Sequence, residues 1–426
     1  MPTLRHTLAL FAALFLTGSA NAQYNYSKDI SRIFQAKCQQ CHREGDIAPF
    51  ALDSYSAATT WADDIKAAVK EKRMPPWKPV DGFNSFRDAW GLSDEERTMI
   101  VNWIDGGMVE GDSADLPEPL PNTGEWLLGD PDKIVRMPVN FAVPSKKDTY
   151  RCFVIPSELT EDKWVSAVQY LPGNKQVVHH VIAYLDKTGV SEQYDGKDGQ
   201  PGYECFGGPG DGVSLDASSM LGGWAPGVRP RFLPDGIAMK LPKGSRIVLQ
   251  VHYFTNGKKD QTDQTKLGIY YSKNAENKQL VFIPIVNTSF KLKPGDENAE
   301  VTAQFPIPPF YDATAYLVVP HMHLLGRQIK VEKIGSDKKV EPLVYINDWN
   351  FNWQGFYSFE TPMRLPALSQ MKVTCTFDNS DKNPRQPNNP PVRVGWGEGT
   401  EDEMCLGFVG VVFDRQGLPF VSKRSK

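Results

Sequence analysis

Two cysteines and a histidine form the first group of residues whose spacing could do chemistry. Cys38, Cys41 and His42 make a C-x-x-C-H pattern. Two thiols three residues apart on one helical turn can add to the two vinyl groups of a haem, and the next imidazole can then bind the iron. A redox-active or zinc-binding cysteine pair is the alternative. The histidine directly after Cys41 favours one covalently attached haem c.

The second iron ligand is predicted to be Met74, which lies in the segment Arg73–Trp77. Two prolines in that segment exclude a helix, so the loop could hold the methionine sulfur over the far face of a haem. Met99 lies in a predicted helix over residues 93–105, where its apolar neighbours indicate packing. Histidine together with methionine raises the reduction potential of a haem and suits electron transfer. Residues 23–112 resemble a small class I cytochrome c.

The histidines beyond the haem motif form a second group. All of them lie at or near predicted strands: His179, His180, His252, His321 and His323. His321 and His323 are two residues apart, so on a strand they face the same side and could bind one metal ion. His179 and His180 are adjacent, so sharing a metal requires a bulge, a strand end or binding through Nδ1. A packing role is the alternative for His252 taken alone.

Met404 could complete a metal site with these imidazoles. It lies in the acidic segment 399–405, directly before Cys405. Imidazole and thioether ligands suit a metal that cycles through Cu(I), because soft sulfur favours that state. A buried core methionine is the alternative from local sequence. The combined donor set indicates copper.

Short strands must position the histidines. Six runs rich in β-branched and aromatic residues predict strands: 164–171, 177–185, 246–254, 280–286, 313–319 and 371–377. Their spacing, without long helical periods between them, favours β-sandwiches. About 300 residues follow position 125, which is enough for two such domains. The 35 glycines and 33 prolines in 426 residues agree with a turn-rich β architecture.

The N-terminus predicts export. Residues 1–22 have a positive start, a nine-residue apolar run and a small-x-small cleavage site at 20–22, which is typical of a secretory signal peptide. A membrane anchor is the alternative, but nine apolar residues are too few to span a bilayer. We therefore expect a periplasmic or secreted protein without a membrane span. The net charge of −4 gives no basic surface for nucleic acid.

Four further cysteines lie outside the haem motif. An oxidising compartment favours disulfides, and local pairing would link Cys152 to Cys205 and Cys375 to Cys405, one bond in each of two domains. Four cysteines allow three connectivities, so the sequence alone leaves the choice open. Free buried thiols are the alternative.

The ordered ligand pattern resembles a known family. A His-His pair, a single histidine, a His-x-His pair and a Met-Cys pair follow one another at His179, His252, His321 and Met404. This arrangement is similar to that of the copper type II, ascorbate-dependent monooxygenases, the group of the peptidylglycine α-hydroxylating and dopamine β-monooxygenases. The resemblance covers roughly residues 126–426. The whole chain resembles bacterial exported proteins in which a cytochrome c domain is fused to this module.

The resemblance implies a mainly β fold. A small α-helical haem domain (23–112) and a Pro-rich linker (113–125) would precede two antiparallel, jelly-roll-like β-sandwich copper domains (126–275 and 276–426). These two domains would face each other across a solvent cleft. One copper ion, which stores electrons, would be bound by His179, His180 and His252. The other, which activates O2 at the catalytic site, would be bound by His321, His323 and Met404.

Three positions depart from the peptidylglycine enzyme. Where that enzyme binds its substrate carboxylate with Arg, Asn and Tyr, this chain has Val319, Leu406 and Phe408. Apolar side chains cannot form charge-assisted hydrogen bonds with a carboxylate. We therefore expect a more apolar or neutral substrate, a small molecule or a peptide.

The expected activity is hydroxylation of a substrate C–H bond with O2. The fused haem is expected to supply single electrons in place of ascorbate, after reduction by a periplasmic electron donor. One alternative is a haem and copper electron-transfer or sensor protein without hydroxylase activity. Others are a copper-binding module that has lost catalysis and a dehydrogenase that passes electrons from a substrate to the haem.

Overall fold

The computed structural model describes residues 24–44, 46–87, 89–120, 124–206, 208–213, 217–254 and 257–416. The predicted signal peptide, residues 1–22, lies outside this part of the chain. The described residues form a mainly β protein with short helices near the N-terminus. Within them, no helix is both long and apolar enough to cross a bilayer.

The helices form a small unit of their own over residues 24–112. After a π-helical turn at Tyr26–Ile30 come α1 (Ser31–Lys37), α2 (Tyr55–Thr60), α3 (Ala62–Lys70) and α4 (Asp94–Asp105). Helix α4 confirms the helix predicted over residues 93–105. It begins after Ser93, whose side chain accepts from Glu96 N while the Glu96 carboxylate accepts from Ser93 N, so two otherwise unpaired donors are satisfied. Phe34 of α1 packs edge-on against Trp103 of α4 in the core of this unit.

Outside the helical unit, the regular elements of the described chain are strands and two 3-10 turns (Ser113–Asp115 and Val190–Gln193). The strands are β1 (Lys133–Arg136), β2 (Phe141–Ala142), β3 (Thr149–Pro156), β4 (Lys163–Leu171), β5 (Val178–Asp186), β6 (Tyr203–Glu204), β7 (Met220–Trp224), β8 (Ile237–Leu241), β9 (Arg246–Tyr253), β10 (Thr262–Asp263), β11 (Lys266–Tyr271), β12 (Lys278–Asn287), β13 (Lys291–Leu292), β14 (Ala299–Pro306), β15 (Ala313–His321), β16 (Gly326–Ile334), β17 (Val340–Ile346), β18 (Tyr357–Leu365), β19 (Gln370–Phe377), β20 (Val394–Gly395) and β21 (Cys405–Phe413). All six predicted strands are confirmed. In β19 every second residue is buried, as expected for a strand with one face on a core.

The strands build two sandwiches that share one sheet. The shared sheet has the order β1-β11-β4-β8-β12-β21-β15-β18. A five-stranded sheet, β6-β3-β9-β5-β7, covers its N-terminal half, and a four-stranded sheet, β14-β19-β16-β17, covers its C-terminal half. Two ribbons, β2-β10 and β13-β20, complete the described strands. The two halves meet at a short parallel pairing of β8 with β12. Strand pairing therefore joins the two sandwiches into one continuous sheet.

A segment of the helical unit docks on the C-terminal sandwich. We call residues 76–87 the docking strap. Pro79 forms a bridge with Ile346 at the end of β17, and Phe86 forms one with Phe359 in β18. Arg87 N donates to the Ser358 carbonyl at 2.8 Å. Since β17 and β18 are the edge strands of their two sheets, the strap covers both edges. The position of the helical unit is therefore fixed by pairing as well as by the linker.

One of the two expected disulfides is formed. Cys152 in β3 is bonded to Cys205, which confirms that pairing. The pairing of Cys375 with Cys405 is wrong, because both are free, buried thiols. Cys405 donates to the carbonyl of Val301 at 3.5 Å. Burial, and then the hydrogen bond with Cys405, raises the pKa of Cys375. Both cysteines are therefore packed in the core without a disulfide between them.

We expect two free thiols per chain when protein with attached haem is unfolded without reductant. They are Cys375 and Cys405, which are released only when the core opens. Titration with a thiol reagent in guanidinium measures the number, and the Cys375→Ala variant should give one. No free thiol in the wild-type chain would contradict the assignment, and four would mean that Cys38 and Cys41 carry no haem.

The Phe86→Ala substitution should weaken the docking of the strap. Phe86 is 8% exposed and its ring contacts Tyr357 and Phe359, so truncation should cost about 3 kcal/mol. Half-buried Phe83, on the same strap, contacts Tyr345, and Phe83→Ala is the matched control. Denaturant unfolding monitored by tryptophan fluorescence measures both variants. Equal losses of stability would contradict an anchoring role for Phe86.

Candidate metal centre

The first histidine cluster lies on two neighbouring strands of the five-stranded sheet. His179 and His180 are in β5, and His252 is in β9, directly opposite His180. The register between the strands shifts between Val178 and His180, so the chain bulges at His179. The two adjacent imidazoles therefore converge, with their Nδ1 atoms 3.2 Å apart. One potential ligand atom from each of the three residues lies within 4.8 Å of the others.

The chemistry of this cluster fits a bound metal ion. Burial, and then the nearby His252, lowers the pKa of His179 to about 3, and burial also lowers the pKa of His180 and His252. The imidazoles are thus neutral, the form that binds metals. His252 Nδ1 is buried without a hydrogen-bond partner. Such atoms are costly unless something binds them, and a metal ion would supply a partner.

The second cluster lies at the end of β15. The ring centroids of His321 and His323 are 5.1 Å apart, as expected for a His-x-His pair on one side of a strand. Each Nδ1 has an acceptor: Gln354 Oε1 lies 2.6 Å from His321 Nδ1, and the Asp402 carbonyl lies 3.0 Å from His323 Nδ1. Because Nδ1 carries the proton and donates it in a hydrogen bond to these acceptors, each Nε2 keeps a lone pair for a metal. Burial lowers the pKa of His321 to about 4 and that of His323 to about 3.

Glu403 connects the second cluster to Met404. Its carboxylate is fully buried and accepts the backbone N–H groups of His323 at 2.9 Å, Leu325 at 2.5 Å and Met404 at 3.1 Å. Burial raises the pKa of Glu403 to about 8, and the backbone donors oppose that shift. Met404 is itself 4% exposed. One side chain thus fixes the methionine segment beside the His-x-His segment. Sequence analysis missed Glu403, although an acid directly before the expected ligand Met404 and its apolar strand was a usable signal.

A single aromatic ring lies between the two clusters. Phe351 stacks on His179 with 4.7 Å between ring centroids, and it contacts His323 edge-on at 5.6 Å. The ring is 4% exposed. The resemblance implied a solvent cleft between the metal sites, whereas a buried side chain fills the space between these two histidines. Nothing in the local sequence around Phe351 indicated this position.

The three apolar substitutions noted in the sequence lie next to the second cluster. Val319 pairs with Phe408, and His321 pairs with Leu406, across β15 and β21. Val319 and Phe408 also pack against the apolar core of the N-terminal sandwich. The strand surface beside His321 therefore offers no cation at these positions.

The haem motif follows helix α1. His42 N donates to the Cys38 carbonyl at 2.9 Å, so the two cysteines and the histidine share one turn. His42 Nδ1 lies 3.0 Å from the Phe50 carbonyl, which leaves Nε2 for an axial metal bond. Burial raises the pKa of Cys38 to about 12 and that of Cys41 to about 11.

Met74 follows α3. Its backbone N–H donates to the Ala68 carbonyl at 3.2 Å, and its side chain is half-buried. Met99 packs against the core of the helical unit, as its sequence pattern indicated. The role of Met74 as the second iron ligand stays a prediction.

Comparison with known proteins finds a family match in the C-terminal part of the chain. Residues 268–413 match the model of the copper type II ascorbate-dependent monooxygenase C-terminal domain. The second cluster and Met404 lie inside this match. The residues predicted to form the second metal site therefore lie in a segment that is similar to the C-terminal domain of copper monooxygenases.

Curated relatives extend the similarity beyond this domain. The chain is 20% identical over 288 residues to DBH-like monooxygenase protein 1 of Homo sapiens, covering 63% of this chain and 45% of that protein. It is 23% identical over 290 residues to the Mus musculus protein of the same name, with the same two coverages. It is 24% identical over 318 residues to peptidyl-glycine alpha-amidating monooxygenase A of Xenopus laevis, covering 70% of this chain and 29% of that protein. The chain spans less than half the length of these relatives.

A solved structure of PNGF-II aligns with 66% of this chain and 65% of its own length at 10% identity. The TM-score of 0.27 is too low to support an argument about fold or function.

The Glu403→Gln substitution should impair metal binding at the second cluster. An amide has only one acceptor oxygen, so it cannot replace both carboxylate oxygens of Glu403 as acceptors of the three backbone N–H groups. The His323 and Met404 segments should therefore loosen. Loss of such a supporting contact typically lowers metal affinity about 10- to 100-fold. Copper retained per chain after dialysis against a chelator measures the effect. Exposed Glu401 provides the matched control, and equal copper retention in Glu401→Gln and Glu403→Gln would contradict the role of Glu403.

Proposed function

We propose that this protein is an exported copper monooxygenase that hydroxylates a substrate C–H bond with O2 and receives its electrons through a covalently attached haem c. The observation that carries the proposal is the pair of neutral histidine clusters on either side of Phe351, with Met404 fixed beside the second cluster by Glu403. The family match over residues 268–413 and the monooxygenase relatives support it.

Two copper ions fit the donor sets. The convergent Nδ1 atoms of His179 and His180, together with His252, would hold one ion. His321, His323 and Met404 would hold the other, and the thioether would favour its Cu(I) state. Bound copper would supply one-electron redox chemistry and O2 activation. The chain itself orients the ligands: Gln354 and the Asp402 carbonyl set the ring tautomers, and Glu403 sets the backbone.

The haem motif fits an electron entry site. Cys38 and Cys41 would attach the haem, and His42 and Met74 would be its axial ligands. A haem bound there would supply single electrons, in keeping with an external donor in the periplasm. The helical unit is tied to both sandwiches: the strap covers β17 and β18, and Lys175 of the N-terminal sandwich forms a 2.5 Å ion pair with Asp46. These contacts of the helical unit with both sandwiches support internal electron delivery.

The substrate is expected to be apolar or neutral. Val319, Leu406 and Phe408 present an apolar strand surface beside His321. A substrate carboxylate would find no charge-assisted hydrogen bond there. A small molecule and an uncharged peptide segment both fit this surface.

One observation favours the alternative of an electron-transfer or sensor protein. Phe351 occupies the space between His179 and His323, where a substrate would otherwise approach both metals. Such a protein would keep both metals and form no hydroxylated product.

The deciding experiment uses the mature protein loaded with haem and copper. We expect about one iron and two copper ions per chain, oxidation of the dithionite-reduced haem when air is admitted, and incorporation of ¹⁸O from ¹⁸O₂ into one member of a panel of neutral aromatic and aliphatic compounds. A peptide ending in a free glycine carboxylate should be a poor substrate. Met404→Ala should abolish ¹⁸O incorporation, because the second copper site loses its soft ligand.

Met363→Ala, at a half-buried position in β18, is the matched control. Two copper ions without ¹⁸O incorporation across the panel would favour the electron-transfer alternative. Haem that stays reduced during copper-dependent turnover would contradict the haem as electron source. A chain that retains no copper would overturn the proposed function.

A further inference from the structure

One loop contacts both histidine clusters and the helical unit. We call residues 347–356, between β17 and β18, the bridging loop. Its Phe351 contacts His179 and His323, and its Gln354 accepts from His321. The stretch 353–356 faces Pro76 and Trp77 across a small cavity of about 40 Å³. This loop is therefore the part of the described structure where the haem-motif unit and the metal ligands come together.

The amide of Gln354 has a fixed orientation. Its Nε2 donates to the Phe351 carbonyl at 2.9 Å, so its Oε1 is the atom that faces His321 at 2.6 Å. An amide oxygen can only accept, so His321 must carry its proton on Nδ1. The Nε2 lone pair is then available to a metal ion. Gln354 thus determines which nitrogen of His321 can be a ligand.

The bridging loop is anchored at its N-terminal side. Trp349 is 1% exposed, and its indole N–H donates to the His323 carbonyl at 3.1 Å. Its backbone N–H donates to the Arg327 carbonyl at 2.9 Å. Next to it, Asp348 pairs with Lys78 of the docking strap at 2.6 Å. One end of the loop is therefore held by the second cluster and by the strap together.

The C-terminal side runs into β18, where Tyr357 pairs with Val318 of β15 and also contacts the strap. Trp77 packs edge-on against Tyr357, with 5.3 Å between ring centroids. Gly355 lies against the same tyrosine ring: a Cβ atom at Gly355 would be 2.4 Å from Tyr357 Cζ, so any larger residue would force the ring or the loop to move. A displacement of the Tyr357 ring would therefore displace Gly355 and with it the neighbouring Gln354.

We propose that Gln354 is a positioning residue for His321, and that the docking strap keeps it in place through Trp77, Tyr357 and Gly355. The helical unit then controls the metal affinity of the second cluster without contacting a ligand. The proposal rests on the proposed function only for the identity of the metal, copper. The tautomer of His321 can be measured on the metal-free chain, so the two can fail separately.

The first test changes Gln354 in the full-length protein. Gln354→Leu removes the acceptor and should lower Cu(II) affinity at the second cluster about 10-fold, measured by competition with a chelator, and change the Cu(II) EPR spectrum. In the metal-free chain labelled with ¹⁵N-histidine, the His321 signals should change from the Nδ1–H tautomer to a mixture. Gln354→Glu retains an acceptor and should restore both readouts.

Exposed Gln328, whose Oε1 accepts from the Tyr345 hydroxyl, gives the control variant Gln328→Leu. If Gln354→Leu keeps the Nδ1–H tautomer and a copper affinity within twofold of Gln328→Leu, the positioning role is overturned. A wild-type chain that has the Nδ1–H tautomer but binds no copper would contradict the proposed function and still support the position of Gln354.

The second test changes the strap. Trp77→Ala should reproduce the tautomer mixture at His321 and the loss of copper affinity, because the Tyr357 ring and Gly355 lose the support of the indole. Phe83→Ala, on the same strap, contacts Tyr345 instead and should leave both readouts unchanged. Circular dichroism confirms that both variants are folded. Identical His321 signals and affinities in the two variants would overturn control by the strap.

Discussion

The buried carboxylate of Glu403 is the interaction on which the second metal cluster depends. A carboxylate removed from water is expensive unless donors replace the lost solvent, and here three backbone N–H groups do so. Two of them belong to His323 and Met404, which are about eighty residues apart in sequence. The cost of burying the acid is therefore tied to the correct placement of these two segments, and a fold that separated them would leave the acid unpaired.

The relation between the two clusters depends on a different constraint, the continuity of the shared sheet. His252 belongs to the N-terminal sandwich and His323 to the C-terminal one, and the parallel pairing of β8 with β12 joins the two halves. Phe351 then fits between the clusters, because the sandwiches cannot slide past each other without breaking that pairing. The strap adds a third body to the same assembly, so the haem motif and both clusters are parts of one packed unit.

The strands could be predicted because each carries its own periodicity. The sequence also indicated that His179 and His180 could share a metal only through a bulge, a strand end or binding by Nδ1. The bulge in β5 is one of these. The contacts of Glu403, Gln354 and Phe351 could not be predicted, because each joins segments far apart in sequence. The pairing of Cys375 with Cys405 was wrong because both are free thiols buried in the core, and local sequence does not show whether two neighbouring buried cysteines are bonded. The departures at Val319, Leu406 and Phe408 could be identified from the local sequence alone.

The docking strap also has a consequence for solubility. Strands β17 and β18 end their sheets, and uncovered edge strands offer unpaired N–H and C=O groups to other chains. The two sandwiches without the helical unit would present two such edges side by side, with the aromatic surface of Tyr357 and Phe359 exposed between them. The helical unit therefore shields these edges from pairing with other chains.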